Sequence, residues 1–326
     1  MIDTLTKPIF IVGCPRSGTT ILAKILNNHS QIASATEIHF FNHLIKSKKY
    51  NWQVLNDKLL QEFFAETRVE DFCSLLKIDF QEFSETILQK TEPDLNLSTE
   101  EQNQKRIFDA LMLMLLKRNN KTNCCEKTPQ HLLNIDEILR FYPNAKIIHL
   151  IRDGRDTVNS LIKMPWRPEG LLNNSRFWKR YAKLGMKIAN KYANKVDNYI
   201  SIRYEDLLFD PVTSIKRLCL FCDYQFETQM LDTQEQKDSN IFSAWESSWK
   251  HKAMEDLDST RVGAWQKELN EKEQRLLNWH LRHELKALGY ENPQKDFTLV
   301  DSINVFKEYT NLAFEKSTRL FTDLIS

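Results

Sequence analysis

Apolar residues fall along this chain in short continuous blocks separated by longer stretches of helical periodicity. The first block, Pro8 to Gly13 (PIFIVG), is apolar without alternation, as a strand buried on both faces of a parallel sheet must be. From Thr19 to Asn28 the apolar residues recur at helical spacing. Asn123 to Glu126, Lys146 to Ile151 and Tyr199 to Arg203 repeat the arrangement, each a compact run that ends in polar residues and precedes a helix-compatible segment. Strands and helices in alternation predict an α/β fold, three αβα layers around a central parallel sheet. Ligands are then expected beyond the carboxyl ends of the strands.

Residues 42–122 break this rhythm. They carry helical patterns such as DKLLQEFFAE and RIFDALMLMLLKR and no strand, which predicts a helical insertion. Leu171 to Val196 and Lys272 to Leu288 also read as helices, the second closed by Gly289 as a C-cap. Within the tail 296–326, the stretch Ser302 to Leu324 is amphipathic and is expected to cover the sheet, with homodimer formation as the alternative. No Gly-rich or Pro-rich linker interrupts the chain, so the expectation is one domain over residues 1–326.

Composition narrows the class. The 45 basic and 44 acidic side chains leave a net charge of +1, which argues against a protein that wraps nucleic acid or another polyanion. No run approaches the roughly 20 apolar residues of a membrane-spanning helix. The opening MIDTLTKPIFIVG lacks a basic segment followed by a long apolar one, so nothing directs secretion. Cys14, Cys73, Cys124, Cys125, Cys219 and Cys222 are scattered through apolar surroundings, which fits reduced thiols and a cytoplasmic location. Cys219 and Cys222 form a C-x-x-C, but in SIKRLCLFC a helix turns both inward, and no second pair completes a metal site.

The strongest local signal is Gly13-Cys14-Pro15-Arg16-Ser17-Gly18-Thr19-Thr20, which joins a buried strand to a helix start in P-loop register. Backbone N–H groups of such a turn and the positive end of the helix dipole cradle an anion. In the Walker form a Lys precedes the final Ser or Thr. Here Thr19 stands in that place and Arg16 supplies the charge from inside the loop, which suits one phosphate or a phosphosulfate better than a magnesium-bound triphosphate. A second basic group, Arg152-Asp153-Gly154-Arg155-Asp156, follows KIIHLI, with Ser160 eight residues after Arg152. Two anion sites at two strand ends imply a ligand with two separated phosphates.

Glu37 and His39 follow the short apolar segment QIASA, and either fits a general base. The neighbouring Phe40 and Phe41 are expected to desolvate Glu37 and raise its pKa. Lys127, in Glu126-Lys127-Thr128-Pro129, leaves a strand end toward the same crevice, where an ammonium would neutralise a leaving phosphate oxygen. His280, His283 and Glu284 in WHLRHEL lack the H-E-x-x-H order and read as helix packing. Trp245, Trp249 and Trp265 are also expected to pack, while STRVGAW would bring Arg261 and Gly263 over a nucleotide.

Together these motifs resemble the sulfotransferases that use 3′-phosphoadenosine 5′-phosphosulfate, over Pro8 to Phe41 and Cys124 to Leu208. The resemblance implies a P-loop nucleotide-binding fold. It gives Arg16, Ser17, Gly18, Thr19 and Thr20 to the 5′-phosphosulfate and Arg152 and Ser160 to the 3′-phosphate. Glu37 matches the catalytic base of the tyrosylprotein branch, EIHFF is similar to a segment of heparan sulfate 3-O-sulfotransferases, and Lys127 matches the lysine at the leaving group in both. Tyr204, in RYEDL, matches a nucleotide-contacting tyrosine, and Arg261 resembles part of an R-K-G element with Val262 in place of Lys. The implied reaction moves a sulfuryl group to a hydroxyl of tyrosine, glycan, lipid or a small molecule, without a metal. The alternatives are a P-loop kinase of a small hydroxylated molecule and a non-catalytic nucleotide-binding module.

Overall fold

The computed structural model describes residues 5–34, 36–88, 94, 96–168, 170–192, 197–232 and 259–291. The chain forms two compact units, one of residues 1–152 with 184–259 and one of residues 153–183 with 260–326. The first unit is built on a five-stranded, wholly parallel sheet: β1 (Ile9–Gly13), β2 (Ile32–Ser34), β3 (Asn123–Lys127), β4 (Lys146–Ile151) and β5 (Tyr199–Arg203), in the order β2-β3-β1-β4-β5. Ile9 to Val12 are fully buried, and because alternate residues of a strand face opposite ways, both faces of the central strand are covered. Phe10 stacks on Phe108 at 5.9 Å and meets Phe41 edge-on at 5.9 Å, which places the aromatic core on its face of the sheet.

The four anticipated strands are all present, and the structure adds β2. Three residues are too few to show a period, and β2 exists because it pairs with β3, Ala33 beside Cys124. After β1 comes α1 (Thr19–Asn27), and between β2 and β3 lie α2 (Asp57–Phe64), α3 (Thr67–Leu75), α4 (Phe80–Leu88) and α5 (Thr99–Asn119). The last starts at a reciprocal cap between Ser98 and Glu101 and stops at Asn120 in the left-handed conformation, φ 51°. Further helices follow the remaining strands: α6 (Ile135–Phe141), α7 (Gly154–Leu161), α8 (Leu171–Tyr192), α9 (Tyr204–Phe209) and α10 (Pro211–Phe221).

In the second unit, α7 packs on a helix over Glu271–Ala287, capped at its start by Asn270 with Glu273 and followed by Gly289 at φ 73°, as the C-cap signal anticipates. Trp265 is buried under the Arg155 guanidinium, 4.4 Å from its ring. Trp245, Trp249 and the tail 296–326 lie outside the described residues. Among the described residues no helix is long and apolar enough to cross a membrane. All six cysteines are buried and unbridged.

Candidate active site

A parallel sheet aligns all its carboxyl ends along one edge, and in the first unit every strand ends on a candidate residue or shortly before one. Gly13 ends β1 and opens the phosphate loop, and Ser34 ends β2 three residues before Glu37. Lys127 ends β3, Ile151 of β4 is followed by Arg152, and Arg203 of β5 by Tyr204. Ile11 pairs with Lys127 and Gly13 with Leu150, so loop and lysine leave adjacent strands at nearly the same height.

The loop turns tightly. Ser17 N–H donates to the Cys14 carbonyl at 3.1 Å, Arg16 takes a left-handed φ of 75°, and Gly18 caps α1 at φ 96° with no capping side chain. Thr19 and Thr20 therefore present first-turn N–H groups of a helix, the arrangement that receives an anion. Ser17, Thr19 and Thr20 are buried and Arg16 is half-buried. Gly18 is required twice, since a Cβ there would stand 2.3 Å from Cδ2 of the Tyr204 ring. The Arg152 guanidinium lies over that same ring at 4.5 Å and donates from Nη1 to the Arg16 carbonyl at 3.2 Å. Arg152, Tyr204 and the loop thus form one stacked assembly.

Glu37 is 12% exposed and sits between two nitrogen groups. Lys127 Nζ lies 2.6 Å from its Oε1 and His39 Nε2 lies 3.3 Å from its Oε2. Lys127 is fully buried, so this ion pair is shielded and the loss of either partner would strand a charge. The rings of Phe40 and Phe41 pack into the aromatic core, against Phe63, Phe108 and Phe141, so the setting of Glu37 is a charged pairing and not the apolar one its two aromatic neighbours suggest. His39 itself has a left-handed backbone, φ 54°, and leads into a π-helical turn, Phe40–Leu44.

Three residues that the sequence did not single out as a group hold this loop. Glu126 accepts from Thr128 Oγ1 at 2.6 Å and contacts His131 Nδ1 at 2.8 Å. Thr128 Oγ1 accepts the His39 N–H at 3.3 Å, and His131 Nε2 accepts the Phe41 N–H at 3.1 Å. Glu126, Thr128 and His131 are all buried. The available signal was the spacing of EKTPQH, in which a carboxylate and an imidazole five residues apart flank the lysine and a hydroxyl.

The R-D-G-R-D motif divides. Arg152 belongs to the sheet edge of the first unit, whereas Arg155 is spent inside the second unit, bidentate to Asp153 and donating to Asn278 Oδ1 at 3.0 Å. Asp156 there accepts the N–H groups of Gly263 at 2.8 Å and Trp265 at 3.0 Å. It fixes the segment that follows Arg261 within the second unit. Ser160, on α7, and Arg261, in a 3-10 turn over Ser259–Arg261, also belong to the second unit and are half-buried. His280 and Glu284 are buried in the helix Glu271–Ala287, with Lys179 and Lys183 each 3.5 Å from the Glu284 carboxylate. Among the described residues no group of three His, Cys, Asp or Glu side chains is placed to hold a metal.

Known proteins share this fold and parts of this sequence. The sulfotransferase family matches residues 8–228. A putative protein-tyrosine sulfotransferase of Caenorhabditis briggsae is 24% identical over 240 residues, 72% of each chain. The protein-tyrosine sulfotransferase of Drosophila melanogaster is 22% identical over 237 residues, 70% of this chain but 40% of the relative, so the chain spans less than half of that protein. Among solved structures, the sulfotransferase domain from the curacin biosynthetic pathway superposes with a TM-score of 0.59 at 20% identity, covering 89% of this chain and 100% of that one, a likeness of fold.

Proposed function

The chain belongs to the sulfotransferase family, and from that premise we propose that it transfers a sulfuryl group from 3′-phosphoadenosine 5′-phosphosulfate to a hydroxyl acceptor with Glu37 as general base. The observation that carries this reading is the 2.6 Å contact of Glu37 with Lys127 on the strand next to the phosphate loop. It supplies a proton acceptor and a cation side by side, the two groups that in-line transfer to a hydroxyl requires.

Glu37 takes the acceptor's proton as the acceptor oxygen attacks sulfur, the bond from sulfur to the 5′-phosphate oxygen breaks, and its electron pair stays on that oxygen. Each carboxylate oxygen has a second lone pair, so Glu37 receives the hydroxyl while His39 still steadies Oε2. Lys127, Arg16 and the N–H groups of Ser17 to Thr20 neutralise the charge on the departing 5′-phosphate. Arg152 receives the 3′-phosphate, stiffened by its stack on Tyr204, which borders the nucleotide. The same reading gives Ser160 to the 3′-phosphate and Arg261 to the nucleotide. The scheme needs no metal. The names of the two relatives make a tyrosyl hydroxyl the first acceptor to assay, beside glycan, lipid and small phenolic hydroxyls. The six cysteines, all buried, support a reducing, cytoplasmic location.

Calorimetric titration tests the reading. Adenosine 3′,5′-bisphosphate is expected to bind in preference to adenosine 5′-phosphate and to ATP with magnesium, and Arg152→Ala to weaken it about 10- to 100-fold. Glu37→Gln is expected to lower turnover roughly 10²- to 10⁴-fold with bisphosphate affinity within about two-fold of wild type. Preference for ATP with magnesium would instead indicate kinase chemistry. Bisphosphate binding with no turnover, indifferent to Glu37 and Lys127, would indicate a non-catalytic module.

A further inference from the structure

Glu37 must meet the acceptor at a fixed height above the sheet, yet it lies on a loop whose backbone leaves the regular conformations. His39 is left-handed without being glycine, and a π-helical turn follows it. Such a loop keeps one geometry only if something outside it holds its amides. The groups that do so come from a single short segment, the end of β3 and the 3-10 turn Pro129–Asn134 that continues it.

On β3, successive side chains face opposite ways. Glu126 pairs in register with Phe10 and faces the aromatic core, where its two oxygens engage Thr128 Oγ1 at 2.6 Å and His131 Nδ1 at 2.8 Å. Lys127 points the other way and takes the Glu37 carboxylate at 2.6 Å. Thr128 and His131 pass the grip of Glu126 to the loop, because each has its remaining acceptor on a loop amide, His39 N–H at 3.3 Å and Phe41 N–H at 3.1 Å. The pattern assigns the proton of the imidazole: Nε2 accepts, so Nδ1 carries the hydrogen and donates to Glu126. The Thr128 hydroxyl likewise donates to Glu126 and accepts from His39. One buried carboxylate thereby fixes the direction of both anchors.

We propose that Glu126, Thr128 and His131 are positioning residues that act through the amides of His39 and Phe41 to hold Glu37 against Lys127. The inference rests on the reading of Glu37 as the base. None of the three touches the reacting atoms. The base and the cation are set by neighbours on one strand, so their separation is fixed by the geometry of two consecutive residues, 126 and 127.

The test uses the full chain with conservative and non-conservative variants in pairs. Sulfuryl transfer from the phosphosulfate donor to a tyrosyl peptide and to a small phenol, bisphosphate affinity, and deuterium exchange at the His39 and Phe41 amides are measured together. Thr128→Val and His131→Ala are expected to lower kcat about 10- to 100-fold, as a displacement of about 1 Å at a reacting group does, with bisphosphate Kd within about two-fold. Exchange should accelerate at His39 in the first variant and at Phe41 in the second. Thr128→Ser, and His131→Gln with its carbonyl as acceptor and its amide as donor, are expected to recover most of the loss. Wild-type kcat in Thr128→Val and His131→Ala would overturn the proposal. So would a loss of kcat that tracks bisphosphate affinity and that the conservative variants do not restore. Failure of the underlying reading looks different: Glu37→Gln would then leave transfer unchanged, while the exchange of the two amides would still respond to Thr128 and His131.

Discussion

Gly18 shows how one residue can satisfy three demands of which the sequence displays one. P-loop spacing asks for a glycine so that the backbone can approach a phosphate, and φ of 96° asks for it again. The third reason is visible only in the fold: a Cβ would enter the Tyr204 ring, 2.3 and 2.4 Å from Cδ2 and Cε2. Gly18→Ala is therefore expected to cost about 1–3 kcal/mol in urea denaturation and to weaken bisphosphate binding by displacing the ring on which Arg152 stacks. Adding Tyr204→Ala should return part of the stability by removing the collision and none of the affinity. A Gly18→Ala protein as stable as wild type would show that neither the backbone angle nor the ring opposes a Cβ there. Glu37 carries the complementary lesson. Its flanking phenylalanines suggested an apolar setting, but Phe40 and Phe41 turn into the core and the carboxylate meets Lys127 and His39. Side-chain direction within four residues depended on the loop's left-handed turn at His39, which no local propensity announces.

Among the elements, β4 and its neighbours carry a pH-dependent term. His149 on β4 is buried, hydrogen-bonded through Nδ1 to the Tyr199 hydroxyl on β5 at 2.7 Å, and covered by α8 so closely that a Cβ at Gly185 would lie 2.3 Å from its Cε1. Burial pushes this imidazole down to about 4 from its ordinary 6.5. As pH falls from about 6.5 to about 4, the unfolded chain takes up a proton that the folded one refuses, so stability falls with pH across that window, by up to roughly 3 kcal/mol. His149→Gln is expected to unfold at a temperature that varies less between these pH values than that of wild type. An unchanged slope would assign the acid sensitivity to other groups. The elements themselves were largely legible: four strands, α1 and the helix ending before Gly289 follow from apolar runs and caps. β2 was not, because its three residues become a strand only through the partner they find in β3.

For the whole molecule, a ligand that engages several strand ends at once stabilises the fold that brings them together. Bisphosphate at about 100 times its Kd is expected to add about 3 kcal/mol and to raise the unfolding temperature by several degrees, equally with and without a metal chelator. A rise that the chelator abolishes would point to metal-bridged nucleotide and to the kinase alternative.

Local sequence determined a good deal at this scale. Continuous apolar runs that recur between helical stretches demand a buried parallel sheet, and a parallel sheet has one edge where all strands stop. The phosphate loop, the lysine in EKTP and the arginine after KIIHLI were therefore assignable to a common edge before any coordinate was known. Tertiary structure alone decided the pairings. The order β2-β3-β1-β4-β5 sets Glu37 beside Lys127 across 90 residues and Arg152 beside Arg16 across 136. Contacts outside the sheet separated the two arginines of one motif, leaving Arg152 at the strand end and turning Arg155 to Asp153 and Asn278. Periodicity reports which face of an element is apolar, a property of neighbours in sequence. Which polar groups meet depends on strand order and register, and these are set by burial summed over the whole core.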